Sequence, residues 1–186
     1  MKVNRKLFLE EVLKTRGNRG EQYCKYSGVN FMFDWCAIFT SYIMREVAGI
    51  KDFPKSTSCT QIKNSSFTIP KLNRSFKTAE VGDIILFELN NNPSDGSEHI
   101  GIVVANDNGI ISVLEGNTGN NDFNKSYVAV YTYSIDNSAL DCIIDMSDFF
   151  TDKPIQNTEK PVIKSSETQM REVFKKIKEL LLSIEI

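Results

Sequence analysis

From Asp83 onward the chain runs through five short apolar segments bounded by turn residues: Asp83–Leu89, His99–Ala105, Gly109–Glu115, Tyr127–Tyr133 and Leu140–Asp145. Runs of this length with turn residues between them predict strands, and the short gaps predict an antiparallel meander. Ahead of this region the apolar period is helical. Leu7, Phe8, Val12 and Leu13 give one face to a helix over residues 5–15, with Gly17–Gly20 as the turn after it. Ala37, Phe39, Ile43, Met44 and Val47 give a second, mostly buried helix over Cys36–Val47, with Asp34 as N-cap and Gly49 just past its end. Residues 50–80 are rich in Ser, Thr, Asn and Lys and carry Pro54 and Pro70, leaving room only for a short helix around Cys59–Ser65. Helices first and strands second predict an α+β domain, with the N-terminal helices covering one face of an antiparallel sheet.

Size and charge narrow the function. With 186 residues, 41% of them hydrophobic, the chain can build one core and an appendage. The 22 basic and 24 acidic side chains leave a net charge of -2, which offers no general attraction to a polyanion, so nucleic acid is not expected as a partner. The basic opening Met1–Lys6 is followed by Glu10 and Glu11 before a signal-peptide length is reached, and no apolar run approaches the roughly 18 residues of a membrane span. Synthesis in the cytoplasm without a signal peptide is the expectation. After Thr151 the composition turns to Lys, Pro, Ser, Thr and Glu, giving three segments: a domain over 1–151, a linker over 152–164 and an amphipathic helix over 165–186. Met170, Val173, Ile177, Leu180 and Ile184 line that last helix at a/d spacing. The stripe must be covered, either by the domain or by a second copy in a homodimer.

The single histidine, His99, is the one imidazole any acid–base mechanism can use. It opens the strand His99-Ile100-Gly101-Ile102-Val103-Val104, and the following strand ends in Leu114-Glu115-Gly116-Asn117, so a hairpin can bring a carboxylate and an amide to the ring. Four cysteines, Cys24, Cys36, Cys59 and Cys142, contain no C-x-x-C pair and have one histidine to help them, which is no ligand set for structural zinc. Cys36 falls in the first turn of its helix, where unpaired N–H groups and the helix dipole favour a thiolate. The other three read as small buried hydrophobes.

Four blocks in order, Tyr26 through Trp35-Cys36-Ala37-Ile38-Phe39-Thr40-Ser41, Val81-Gly82-Asp83-Ile84-Ile85-Leu86-Phe87, His99-Ile100-Gly101-Ile102-Val103 and Leu114-Glu115-Gly116-Asn117, resemble a CHAP domain. This is the cysteine- and histidine-dependent amidohydrolase/peptidase branch of the papain-like NlpC superfamily. The resemblance implies a papain-like α+β fold with Cys36 as nucleophile, His99 as base, Glu115 as its orienter and Asn117 as an accessory polar group. It implies cleavage of amide bonds in bacterial peptidoglycan, by an N-acetylmuramoyl-L-alanine amidase or a stem or cross-bridge endopeptidase of phage-endolysin type that reaches the wall through another protein. Asn30 and Tyr26 are then candidates for the second oxyanion donor, and Trp35 for a wall of the substrate groove. No cofactor or metal is implied: some relatives carry a D-x-D-x-x-G calcium loop before the cysteine, where this chain has Gly17-Asn18-Arg19-Gly20. Residues 152–186 are too few for a wall-binding module. Two other readings stay open: a thiol amidase acting on a small peptide conjugate, intracellular or delivered, and a non-catalytic wall-binding or scaffold protein in which the polar quartet is a satisfied network.

Overall fold

Helices come first, each short and each anchored by burial. Helix α1 spans Arg5–Leu13, with the Asn4 side chain accepting from the Leu7 backbone N–H as its cap; α2 spans Glu21–Ser27. Helix α3 spans Cys36–Tyr42 and runs on into a π-helical turn, Ile43–Val47; α4 spans Cys59–Lys63 behind a Ser58 cap. The computed structural model describes residues 2–73, 75–90 and 96–151, all within the first of two units into which the chain divides, Met1–Ile155. The linker over 152–164 and the amphipathic helix over 165–186 expected from sequence lie outside the described residues.

Six strands follow: β1 Leu72–Asn73, β2 Ile84–Phe87, β3 His99–Asp107, β4 Ile110–Thr118, β5 Tyr127–Ser134 and β6 Leu140–Ile144. They form one antiparallel sheet in the order β1-β6-β2-β3-β4-β5. The α+β class expected from the sequence is the class observed. The meander covers only β2 to β5, because β6 returns across the sheet to pair with β2. Burial explains the return. Leu140, Cys142, Ile143 and Ile144 are all buried, so β6 needs the sheet interior, whereas β5 is half-exposed along its length. The outer side of β5 is instead met by the turn after α1, where Gly17 N–H donates to Val128 O and Val128 N–H to Asn18 O, 2.8 and 2.9 Å.

Alternation along the strands sorts the apolar side chains onto two faces. Ile84, Leu86, Ile100, Ile102, Leu114, Cys142 and Ile144 bury against Phe8, Val12, Trp35, Phe39 and Met44 of the helical layer. Ile85, Phe87, Val103, Ile111, Val113 and Ile143 form a second cluster closed by Ala79 and Phe76. Two polar anchors hold the layers in place. The buried Arg5 guanidinium donates to Glu80 Oε2 at 2.6 Å and to the Val81 carbonyl, and buried Asp83 accepts the backbone N–H groups of Glu80 and Met146 at 2.8 and 2.9 Å. Val3 and Phe150 form a parallel bridge, with Val3 N–H donating to Phe149 O at 2.7 Å and Thr151 N–H to Val3 O at 3.0 Å.

Two local expectations are corrected. Helix α2 has no counterpart in the sequence reading, because its seven residues carry no repeating apolar stripe and it is held by burial of Tyr23 and Cys24. Asp34 does not cap α3: Trp35 takes the N-cap position without a side-chain bond, and Asp34 Oδ1 accepts from Asn117 Nδ2 at 3.0 Å instead.

Candidate active site

Three elements deliver the central side chains. Cys36 is the first residue of α3 and His99 the first of β3; Glu115 stands in β4. Gly101 pairs with Glu115 across the β3–β4 ladder, so the strand period puts His99, Gly101 and Glu115 on one face. A Cβ on Gly101 would lie 2.4 Å from Val113 Cγ1 and 2.9 Å from Glu115 Cγ. The missing side chain is therefore what lets the Glu115 chain cross toward the imidazole. Glu115 Oε2 stands 2.9 Å from His99 Nε2, and Glu115 Oε1 accepts from the Tyr133 hydroxyl at 2.7 Å. The carboxylate is buried, and the Phe87 ring packs on both His99 and Tyr133, with centroids 5.6 and 5.1 Å away. With Nε2 taken by Glu115, Nδ1 is the ring nitrogen left for Cys36.

The electrostatics follow from these contacts. The Cys36 thiol is lowered to about 5: the Cys59 thiol beside it is the largest cause, burial opposes it, and the His99 imidazole and the Ala37 backbone N–H add to the lowering. His99 is raised to about 10; burial acts against its charge and is overcome by hydrogen bonding to Cys36 and Glu115 and by their negative charges. Cys59 is pushed upward as the protonated partner of the pair. Between those limits the site is a thiolate–imidazolium pair backed by a buried carboxylate, in which the two protons belong to the coupled group as a whole.

The remaining expected residues sit as follows. Asn117 reaches no ring nitrogen. Its backbone is left-handed, with φ at 60°; Nδ2 donates to Asp34, and Oδ1 accepts from Ser126 Oγ at 2.6 Å, while Ser126 also receives the Trp35 indole N–H at 3.1 Å. It thus ties the loop before α3 to the end of β4 and positions the cysteine from behind. Trp35 is fully buried and stacked on Tyr23 at 5.5 Å, so it is a core residue and not a groove wall. The Tyr26 hydroxyl donates to Glu46 Oε1 at 2.9 Å, and exposed Asn30 has no hydrogen bond to Cys36, His99 or Glu115 among the described residues.

Two participants escape the sequence reading. Cys59, taken as a buried hydrophobe, opens α4 with its Sγ 3.6 Å from Cys36 Sγ. Ser58 before a short helical stretch signalled a helix start there, though nothing local said which other helix start it meets. Tyr133 carries no local signal, since its partner lies on the neighbouring strand. No group of three or more His, Cys, Asp or Glu among the described residues is placed to hold a metal ion.

Helices packed on an antiparallel sheet, with cysteine, histidine and carboxylate meeting at their junction, define a papain-like α+β scaffold. The chain is similar to the CHAP domain family, whose model matches residues 28–117, a span that takes in all four of Cys36, His99, Glu115 and Asn117. Among solved structures it is similar to the crystal structure of Ly7917, at 17% identity and a TM-score of 0.50, over 76% of this chain and 61% of that one. The likeness is one of fold, and the chain spans less than two thirds of that relative. No curated protein gives a match. Among the described residues no helix is long and apolar enough to cross a membrane.

Proposed function

We propose that this chain hydrolyses amide bonds in bacterial peptidoglycan through Cys36 as a covalent nucleophile, either between muramic acid and L-alanine or within the stem or cross-bridge peptides. The observation that carries the reading is the series His99, Glu115 and Tyr133, joined by contacts of 2.9 and 2.7 Å, with the Cys36 thiol lowered beside the His99 imidazole. The Cys36 thiolate attacks the amide carbonyl, and the oxyanion is met by the unpaired backbone N–H of Cys36 at the start of α3. Asn30, on the loop before α3, is the remaining candidate for a second donor, since Tyr26 is committed to Glu46. His99 gives its Nδ1 proton to the leaving amine, then takes one from the water that opens the thioester, while Glu115 steadies the ring and its charge. Asn117 fixes the loop that presents the cysteine. A cavity of about 300 Å³ lined by Ser27, Ile38, Lys55, Ser56, Thr57 and Gln61 shares α3 and α4 with the two cysteines, and Lys55 supplies a cation for a peptide carboxylate.

Purified sacculi of several wall types, digested with the full chain and read by mass spectrometry of the released fragments, test this. New amine ends are expected with wild type and none with Cys36→Ala. Fragment release that survives Cys36→Ala would overturn the nucleophile. Intact sacculi beside hydrolysed small peptide conjugates would move the substrate to the second class.

A further inference from the structure

Two helices of this fold begin on a cysteine, and their beginnings converge. Cys36 opens α3, Cys59 opens α4, and the two sulfurs are in van der Waals contact at 3.6 Å with only 5% and 6% of each residue exposed. None of the four cysteines is in a disulfide, and the other two belong to α2 and β6. Amide hydrolysis makes and breaks bonds at one sulfur; the second serves it only as a neighbouring hydrogen-bond partner. We propose that Cys36 and Cys59 form a reversible oxidative modification site, at which an oxidant of the hydroperoxide class joins the two sulfurs in an intramolecular disulfide and withdraws the nucleophile.

The chemistry balances with the groups present. The Cys36 thiolate attacks one oxygen of hydrogen peroxide; the O–O bond breaks, Cys36 becomes a sulfenic acid, and the departing hydroxide leaves as water once protonated. The Cys59 sulfur then attacks the Cys36 sulfur; the S–S bond forms, the S–O bond breaks, and the hydroxyl leaves as water with the Cys59 proton. The sum is two thiols and one peroxide giving one disulfide and two waters. A dithiol reverses it by two exchanges. Closing the gap to a disulfide length of about 2.05 Å asks the sulfurs to approach by about 1.5 Å. The protonation states suit the first step, in which Cys36 is the ionised sulfur; once Cys36 is a sulfenic acid its charge no longer holds Cys59 protonated, and the Cys59 proton can pass to the leaving hydroxyl as its sulfur attacks. Without Cys59 the sulfenic acid stays open to a second oxidation, from which a dithiol cannot return it.

The loss of hydrolysis on oxidation rests on Cys36 being the nucleophile, whereas the disulfide itself does not. The test uses the full chain, reduced, treated with excess hydrogen peroxide, blocked with iodoacetamide and mapped by proteolysis and mass spectrometry, before and after dithiothreitol. Wild type should yield a Cys36–Cys59 linked peptide two hydrogens lighter than its parts, with nearly all iodoacetamide labelling of both residues returning after dithiothreitol. In Cys59→Ala and Cys59→Ser the Cys36 peptide should carry a sulfinic or sulfonic acid, and labelling at Cys36 should return to about a tenth or less of its starting value. A wild-type map with no such link, a link to Cys24 or Cys142 instead, or full return of labelling in the variants would overturn the proposal. A clean link in a protein that never cuts sacculi would leave it standing and sink the hydrolase reading alone.

Discussion

Cys36 and His99 each hold a charge that burial alone would remove, and the groups that prevent its removal can be deleted one at a time. Cys36→Ala should lower turnover on sacculi by at least about a thousandfold while leaving the thermal midpoint nearly unchanged, because a short side chain at a helix start fills little volume. His99→Ala should be as severe, and the double variant scarcely worse than either, as expected for residues acting as one unit. The pH profile of kcat/KM carries a finer signature. Cys36 gains its proton below about 5 and His99 loses its proton above about 10, so a broad plateau should lie between two limbs. Cys59→Ala removes the largest influence lowering Cys36, so the acid limb should move up in pH. Glu115→Gln removes a charge that raises His99, so the alkaline limb should move down. Tyr133→Phe takes one hydrogen bond from the Glu115 carboxylate and should reduce kcat several-fold, about 1 kcal/mol, with KM little changed. Limbs that stay in place in all of these variants would contradict the assigned couplings.

At the level of elements, the site depends on an empty position in a strand. Gly101→Ala would put a methyl group into Val113 and the Glu115 side chain, so it should destabilise the fold by about 1–3 kcal/mol and cost more activity than stability, measured by denaturant melts beside wall digestion. Asn117→Ala loses the bonds to Asp34 and Ser126 at a left-handed backbone position and should act on kcat through the α3 loop, without moving either pH limb. Which parts were readable from sequence follows the range of the interactions involved. Strands β2 to β6 were legible because alternation and turn residues are local signals, and the meeting of His99 with Glu115 was legible because one hairpin joins β3 to β4. Helix α2 was hidden, since burial of Tyr23 and Cys24 and not periodicity makes it a helix. Cys59 and Tyr133 were hidden for a related reason: each meets its partner across elements whose pairing no short window of sequence contains.

On the scale of the whole molecule, stability should carry its own pH dependence through Asp83. Burial pushes this carboxyl up to about 6 from an ordinary 3.8, against the two backbone N–H groups that favour its charge. The folded state thus binds the proton more tightly than the unfolded chain, so this contribution is full below about 4 and is lost as pH rises through about 6, amounting to about 3 kcal/mol at most. Thermal melts of Asp83→Asn should be flatter than wild type across that window, and an unchanged slope would show that another group sets it. The placement of β6 was likewise beyond a reading in which neighbours in sequence become neighbours in space, since its partner β2 precedes it by more than fifty residues. That return has a further consequence. It brings residue 150 back to residue 3, where a single bridge joins the two ends of the described domain. A domain whose chain enters and leaves at one point behaves like a cassette. It can be grafted into a surface loop of a host protein on two short tethers, or its ends can be joined and the chain reopened at the exposed Asp107–Ile110 turn, without moving any strand that holds the site.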